Sequence, residues 1–425
     1  MDKAKFTPII QFIERHRKAL GYLIPTLAFM AGWMLPSPFW HRQGLTEAGS
    51  TEQIALTDTT GMRMADGSVY DGSIVRGTKK RQGFGRLKTA DGSVYEGEWT
   101  DDSLPFGKRT TTASVYTGKF DGQLNNEGFG IVTYTDSYIK GKRRQGKADS
   151  DIVATYIGNW HCNAKHGIGR SVKADGSMDF GRYADGILQR VEGAHYRTGG
   201  SIYGIDLSHH QKDIDWDNLA LYCDSNGTVY STRPTEKKHM QPVMFAYLKA
   251  TEGSTVKDGT YNTRALEAER HGVAKGAYHF LRMGSPVADQ VKNFTETANW
   301  QPGDMPPALD IEVEAEIAEY GKEKLVAMAL EWLKKVESIM HVRPIIYTRE
   351  KIRNECLAGA AFNRYDFWIA RYNDNGPDNF DWRLWQRTEK GAVNGYDGSI
   401  DINLFKDDYS AFRKYTRADE NSASH

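Results

Sequence analysis

The sequence predicts a multidomain chain with an N-terminal transmembrane helix, an all-β array of hairpin repeats in the middle and an irregular (β/α) barrel at the C-terminus. Three observations predict it. A charge-free apolar run lies near the start, a Tyr-Gly motif recurs between about residues 66 and 190, and from Ser201 onward short apolar runs alternate with helical stretches. A chain of 425 residues exceeds one ordinary domain. The expected divisions are a basic segment 1–18, the membrane helix 19–39, a polar linker 40–65, the repeats 66–190, the barrel 200–415 and a polar tail 416–425.

Lys3, Lys5, Arg15, Arg17 and Lys18 precede the uncharged run from Ala19 to Leu35, and Trp33, Phe39 and Trp40 close it. Basic residues before an apolar span with interfacial aromatics after it predict a signal-anchor helix whose following domains lie outside the cytoplasm. No small-x-small cleavage site is visible around Leu35-Pro36-Ser37-Pro38. The 55 basic and 55 acidic residues cancel, so bulk charge gives no reason to expect nucleic acid as a partner. Three cysteines, Cys162, Cys223 and Cys356, exclude a disulfide scaffold but leave one bridge between Cys223 and Cys356 open.

Asp66-Gly67-Ser68-Val69-Tyr70-Asp71-Gly72 returns as Asp91-Gly92-Ser93-Val94-Tyr95-Glu96-Gly97, with weaker copies at Tyr116, Tyr138 and Tyr156. Gly83-Phe84-Gly85, Gly128-Phe129-Gly130 and Gly167-Ile168-Gly169 fall between them. The period suits one β-hairpin per unit, with tyrosine as core and glycine allowing turns and close backbone approach. The pattern resembles a MORN repeat array of about five units from Tyr70 to Gly186. Such arrays space domains or hold partners, so an envelope protein docked on the repeats is a possible partner. His161, Cys162 and His166 offer metal-ligand types but lack a fourth ligand in sequence, so surface placement is expected and no metal is assigned.

Strand candidates in the last part are Ile202 to Asp206, Val243 to Lys249, Gly276 to Phe280, Ala308 to Glu312, Pro344 to Thr348, Phe367 to Arg371, Arg383 to Gln386 and the segment around Ile400. Eight strands, mostly separated by helices, predict a closed TIM-like barrel rather than an open sheet. Leu325, Ala329, Trp332, Val336 and Met340 recur at helical spacing and predict a helix from Lys322 to Met340. The connections between Phe367 and Ile400 are too short for full helices.

Chemistry in such a barrel belongs at the C-terminal strand ends, where Asp206, Asp310, Glu312, Arg371 and Gln386 fall. Asp310 and Glu312 are two apart, which on a strand puts both carboxylates on one side. With Asp206 and Asp401 they make four acids beside apolar runs, a crowding that suits glycoside cleavage or metal binding. No histidine-rich set or acid-spaced calcium loop accompanies them, so a metal-assisted hydrolase is the weaker enzyme reading and no cofactor is expected.

The motifs Tyr203-Gly204-Ile205-Asp206-Leu207-Ser208, Phe245-Ala246-Tyr247-Leu248-Lys249-Ala250-Thr251-Glu252-Gly253, Gly276-Ala277-Tyr278-His279-Phe280, Leu309-Asp310-Ile311-Glu312, Trp368-Ile369-Ala370-Arg371-Tyr372, Leu384-Trp385-Gln386 and Asp401-Ile402-Asn403-Leu404-Phe405 occur in that order. Together they resemble the glycoside hydrolase family 25 lysozymes. The resemblance covers about residues 201 to 415, and departs from the family at His210, where tyrosine is commoner, and in a polar insertion around Asp224 to Gln241. It implies a muramidase that cuts the β-1,4 bond between N-acetylmuramic acid and N-acetylglucosamine, with peptidoglycan glycan strands as substrate. Glu312 is then the general acid, and Asp310 the nucleophile or the group that orients the substrate acetamide. Asp206 and Asp401 tune and orient, while Tyr278, Tyr347, Arg371, Tyr372, Trp385 and Gln386 are candidates for lining sugar subsites. Glu252 is equally readable as a salt-bridge partner and stays outside the catalytic set. The alternative is a non-catalytic peptidoglycan-binding or scaffold protein of a bacterial envelope.

Overall fold

The computed structural model describes residues 55–189, 201–224, 227–235, 239–373, 375–378 and 380–417. The run read as a membrane anchor and the junction 190–200 lie outside these residues. Among the described residues no helix is long and apolar enough to cross a membrane.

Eleven strands, from β1 (Leu56–Arg63) to β11 (Ile187–Leu188), pair in sequence order as one antiparallel meander. Its core is built by the recurring tyrosines. Tyr70, Tyr116 and Tyr156 are fully buried. Their hydroxyls donate to the carbonyls of Ser73, Lys119 and Asn159 at 3.0, 2.8 and 2.9 Å, three residues along in each case. Each ring lies across a glycine of the next strand, so a Cβ at Gly85, Gly130 or Gly169 would run into the phenol. Trp99 and Trp160 meet Tyr70 and Tyr116 edge-on and donate to the carbonyls of Gly85 and Gly130.

Two sequence expectations change here. The segment read as linker contains β1, whose almost wholly exposed residues show no apolar alternation and which is a strand only through its ladder to the strand at Val69–Val75. The weak repeat copy at Tyr138 is helix α1 (Asp136–Arg144), started by the Thr135 side chain capping the Tyr138 amide and carrying Lys142, Arg143 and Arg144 in its last turn.

The barrel strands are β12 (Ile202–Leu207), β15 (Phe245–Glu252), β17 (Ala274–Phe280), β18 (Ala308–Ile311), β19 (Ile345–Arg349), β20 (Phe367–Ala370), β21 (Leu384–Asn394) and β22 (Tyr396–Phe405). The first seven run parallel in that order; β22 is antiparallel to both β21 and β12 and closes the ring. Each expected strand is present, and the one expected at Arg383 to Gln386 runs on to Asn394. Helices α2 (Tyr261–Arg270), α3 (Val287–Thr297), α4 (Glu314–Tyr320), α5 (Lys322–Met340) and α6 (Glu350–Cys356) fill the crossovers from β15 to β20, and α7 (Tyr409–Tyr415) follows the last strand. Helix α5 buries Leu325, Ala329, Trp332 and Val336, the stripe its periodicity predicts. Among the described residues no helix bridges β20, β21 and β22, as their short spacing requires. The polar insertion adds a hairpin of β13 (Ala220–Cys223) and β14 (His239–Pro242) to the edge of β21. Cys223 is buried and Cys356 half-buried, and they are not bridged. The tail read from 416 onward begins with a buried residue, Thr416, whose hydroxyl donates to the Phe412 carbonyl.

The meander packs on the N-terminal ends of the barrel strands. Met178 of β10 (Met178–Ala184) sits in one core with Ile202, Met244 and Phe245. Arg170 of β9 (Ala164–Lys173) donates to the Gly272 carbonyl and to the Met244 sulfur. Asp217 gathers Lys119 at 3.0 Å and His271 at 2.9 Å on its carboxylate, and Asn159 at 2.8 Å on its carbonyl. Phe129 lies 4.1 Å from the His271 ring, beside a cavity of about 370 Å³ lined by Phe106, Ile131, Ile157 and Leu266.

Candidate active site

The carboxylates meet at the opposite, C-terminal rim. Asp206 near the end of β12 pairs in register with Asp401 of β22, which brings two acids from distant parts of the chain side by side. Asp206 Oδ2 accepts the side-chain amides of Gln386 at 3.0 Å and Asn403 at 2.8 Å. Asn403 is fixed in turn by the Trp368 indole N–H at 2.8 Å. Two amide donors on one oxygen favour an ionised Asp206, although burial pushes its carboxyl up. Asp401 is pushed to about 9 by burial, then by the Asp206 charge, and its proton forms the hydrogen bond between them. The pair therefore holds one proton at neutral pH.

Asp310 on β18 is 5 % exposed, and its Oδ1 is buried with no hydrogen-bond partner among the described residues. Burial first and Glu312 second raise its carboxyl well above the usual range, with Lys249 opposing. Glu312 lies one residue past β18 and stays partly open. Its Oε1 faces the Tyr347 hydroxyl at 3.4 Å and Arg349 Nε at 3.3 Å. Burial raises Glu312, Arg349 pulls it down, and the Asp206 charge adds to the rise.

Tyr347 and Tyr372 both donate to Gln386 Oε1 at 2.8 Å, so one amide joins two phenols to Asp206. Tyr372 is 46 % exposed while its hydroxyl is tied down, the form of a platform for a sugar face. Tyr278 of β17 is surrounded by Asp206, Asp310 and Asp401, which with burial keep its phenol protonated. Two expected subsite residues stand apart from this cluster. Arg371 is engaged by Asp378 at 2.6 Å and Glu350 at 3.4 Å. Trp385 is buried, alternates with Gln386 on β21 and donates to the Arg371 carbonyl at 2.8 Å, bracing the loop after β20. Glu252 is held by Lys249 at 2.6 Å and by Arg282 at 2.6 Å, the salt-bridge reading.

Sequence reasoning passed over Arg349, Asn403 and Trp368. The last two stood inside quoted motifs, and alternation from Asp401 would have turned Asn403 inward; nothing marked Arg349.

A family model, glycosyl hydrolases family 25, matches residues 205–396. Over 213 residues the chain is 33 % identical to the uncharacterized protein YegX of Escherichia coli O157:H7, covering 50 % of this chain and 72 % of that one. The chain belongs to glycosyl hydrolase family 25. As a member of family 25 it is a glycosidase. It is also 28 % identical over 247 residues to Lysozyme M1 of Streptomyces globisporus, covering 52 % of this chain and 76 % of that enzyme. The structure aligns with the bacterial lysozyme from Streptomyces coelicolor at a TM-score of 0.43 and 24 % identity, over 51 % of this chain and 98 % of that one. A MORN repeat model matches residues 156–178.

Proposed function

We propose that the family 25 domain is a peptidoglycan muramidase that cleaves the β-1,4 bond between N-acetylmuramic acid and N-acetylglucosamine. Glu312 is the general acid in this reading, and Asp310 serves the anomeric centre. The observation that carries it is the pairing of a raised, partly open Glu312 with a buried Asp310 that has one unpartnered oxygen. An acid that must protonate a leaving alkoxide works only if it keeps its proton near neutral pH, which burial and the Asp206 charge favour. An acetamide N–H of the substrate would satisfy Asp310 Oδ1, which favours the orienting role over direct attack. As the glycosidic bond breaks, the Glu312 proton passes to the leaving oxygen and the acetamide oxygen closes on the anomeric carbon under the pull of Asp310. Water then opens that ring, returning its proton to Glu312. Asp206, Asp401, Gln386 and the phenols of Tyr347 and Tyr372 keep the rim fixed, with Tyr278 beside them. Arg371 and Trp385 support the rim loop in this scheme.

The apolar run within 19–39 is proposed as a membrane anchor that leaves the catalytic domain in a bacterial envelope, and the meander as a spacer that carries an envelope partner. The test of the chemistry is muropeptide analysis of purified peptidoglycan digested by the full chain and by Glu312→Gln. Fragments ending in reducing muramic acid from the wild type alone support it; intact glycan from folded wild type favours a binding protein instead.

A further inference from the structure

We propose that the hairpin end joining β8 (Val153–His161) to β9 holds a divalent transition-metal ion of the zinc type, through His161, Cys162 and His166, with Glu127 as the carboxylate that aims His161. In sequence these ligands lacked a companion. The antiparallel ladder supplies it by laying β7 (Asn126–Tyr134) beside β8, so that Glu127 reaches the turn from 34 residues away.

The geometry assigns a role to each atom. Glu127 Oε1 stands 3.1 Å from His161 Nδ1, and Glu127 Oε2 accepts the Cys162 amide at 3.1 Å. The proton on Nδ1 therefore faces the carboxylate and the lone pair lies on Nε2, as in carboxylate–histidine–metal arrangements. That Nε2 is 3.9 Å from Cys162 Sγ, against an edge of about 3.5 Å for one nitrogen and one sulfur on a tetrahedral zinc ion. The donor atoms of Glu127, His161 and Cys162 lie within 4.8 Å of one another, and His166, whose ring centroid is 5.7 Å from that of His161, would turn its exposed ring to join them. Thiolate and imidazole donors select zinc, cobalt or copper over calcium or magnesium. His161, Cys162 and His166 are all exposed, which leaves an entry path and one coordination position for water or a partner's side chain.

The turn itself is a poor place for cysteine on structural grounds alone. Cys162 and Asn163 have φ of 48° and 67°, the left-handed pair of a two-residue hairpin. The same turn position is Asp101 after β4 (Val94–Trp99) and Asp185 after β10, with φ of 50° in each. Aspartate, asparagine and glycine suit that conformation, whereas cysteine brings a metal ligand at a conformational disadvantage.

The full chain, reduced with a non-chelating phosphine, is titrated with Co²⁺ and then displaced with Zn²⁺. Wild type is expected to bind one equivalent, with tetrahedral visible bands and a thiolate charge-transfer band that zinc abolishes. The exposed Cys162→Ser variant loses the charge-transfer band, and Glu127→Gln weakens affinity about 10–100-fold with the band retained at saturation. Absence of a thiolate band in folded wild type, or the same band in Cys162→Ser, overturns the assignment. So does a Cys162-linked dimer that takes up no cobalt once reduced. The readout is a spectrum, so it stands or falls apart from the muramidase reading.

Discussion

Replacing Asp401 by asparagine should make the protein more resistant to unfolding as pH rises. The wild-type carboxyl ionises near its ordinary value of 3.8 in the unfolded chain but only at about 9 in the fold, because burial and the Asp206 charge oppose its anion. Between those values the native state holds a proton that the unfolded chain has released. Stability is thus full below about 4 and falls as pH climbs toward 9, by up to about 1.4 kcal/mol per unit. Asparagine cannot ionise, yet its amide can still donate to Asp206. The stability gap between variant and wild type should therefore widen by about 2.7 kcal/mol from pH 5 to pH 7, or about 5–11 °C in melting temperature for a domain of this size. Calorimetry of both proteins at half-unit pH steps measures it. Parallel melting curves across that window would refute the assignment of the shared proton to Asp401.

Arg349→Met removes the cation that draws Glu312 down, so the alkaline limb of kcat/KM should move to higher pH, read from a pH–rate profile. Tyr347→Phe breaks the bond to Gln386 inside the rim network and should cost about 1 kcal/mol in chemical denaturation, with kcat reduced because Gln386 and Asp206 lose their brace. Gly169→Ala drives a methyl into the Tyr156 ring and should destabilise the meander by about 1–3 kcal/mol, seen as earlier proteolysis between residues 55 and 189. Asp217→Ala removes the carboxylate shared by Lys119 and His271 and should increase amide exchange in α2 and in the turn after it, while the rim is unaffected.

Much of this arrangement was legible from periodicity. The barrel strands are short apolar runs buried on both faces, and α5 carries a clean helical stripe, so both could be read without contacts. The acids were visible because carboxylates beside such runs are costly unless they are used. What escaped depends on pairing. Strand β1 has no apolar signal and exists by its ladder alone. Tyr138 kept the repeat's residue type while losing its conformation, since Thr135 offered a helix cap instead. The bonds from Asn403 to Asp206 and from Trp368 to Asn403 are properties of register across a closed ring. The engagement of Arg371 by Asp378 and Glu350 rests on loop geometry, which one sequence does not encode in any periodic form.

The way the meander abuts the barrel sets a direction as well as a distance. Arg170, Asn159 and Lys119, from successive parts of the sheet, all grip the end of the barrel away from the acids. A partner on the sheet, as proposed, would therefore leave the rim that carries the acids facing away from it, like a tool clamped by its handle. In the proposed muramidase, a mounting on the sheet would make the choice among identical glycan bonds depend on where each bond lies relative to that mounting.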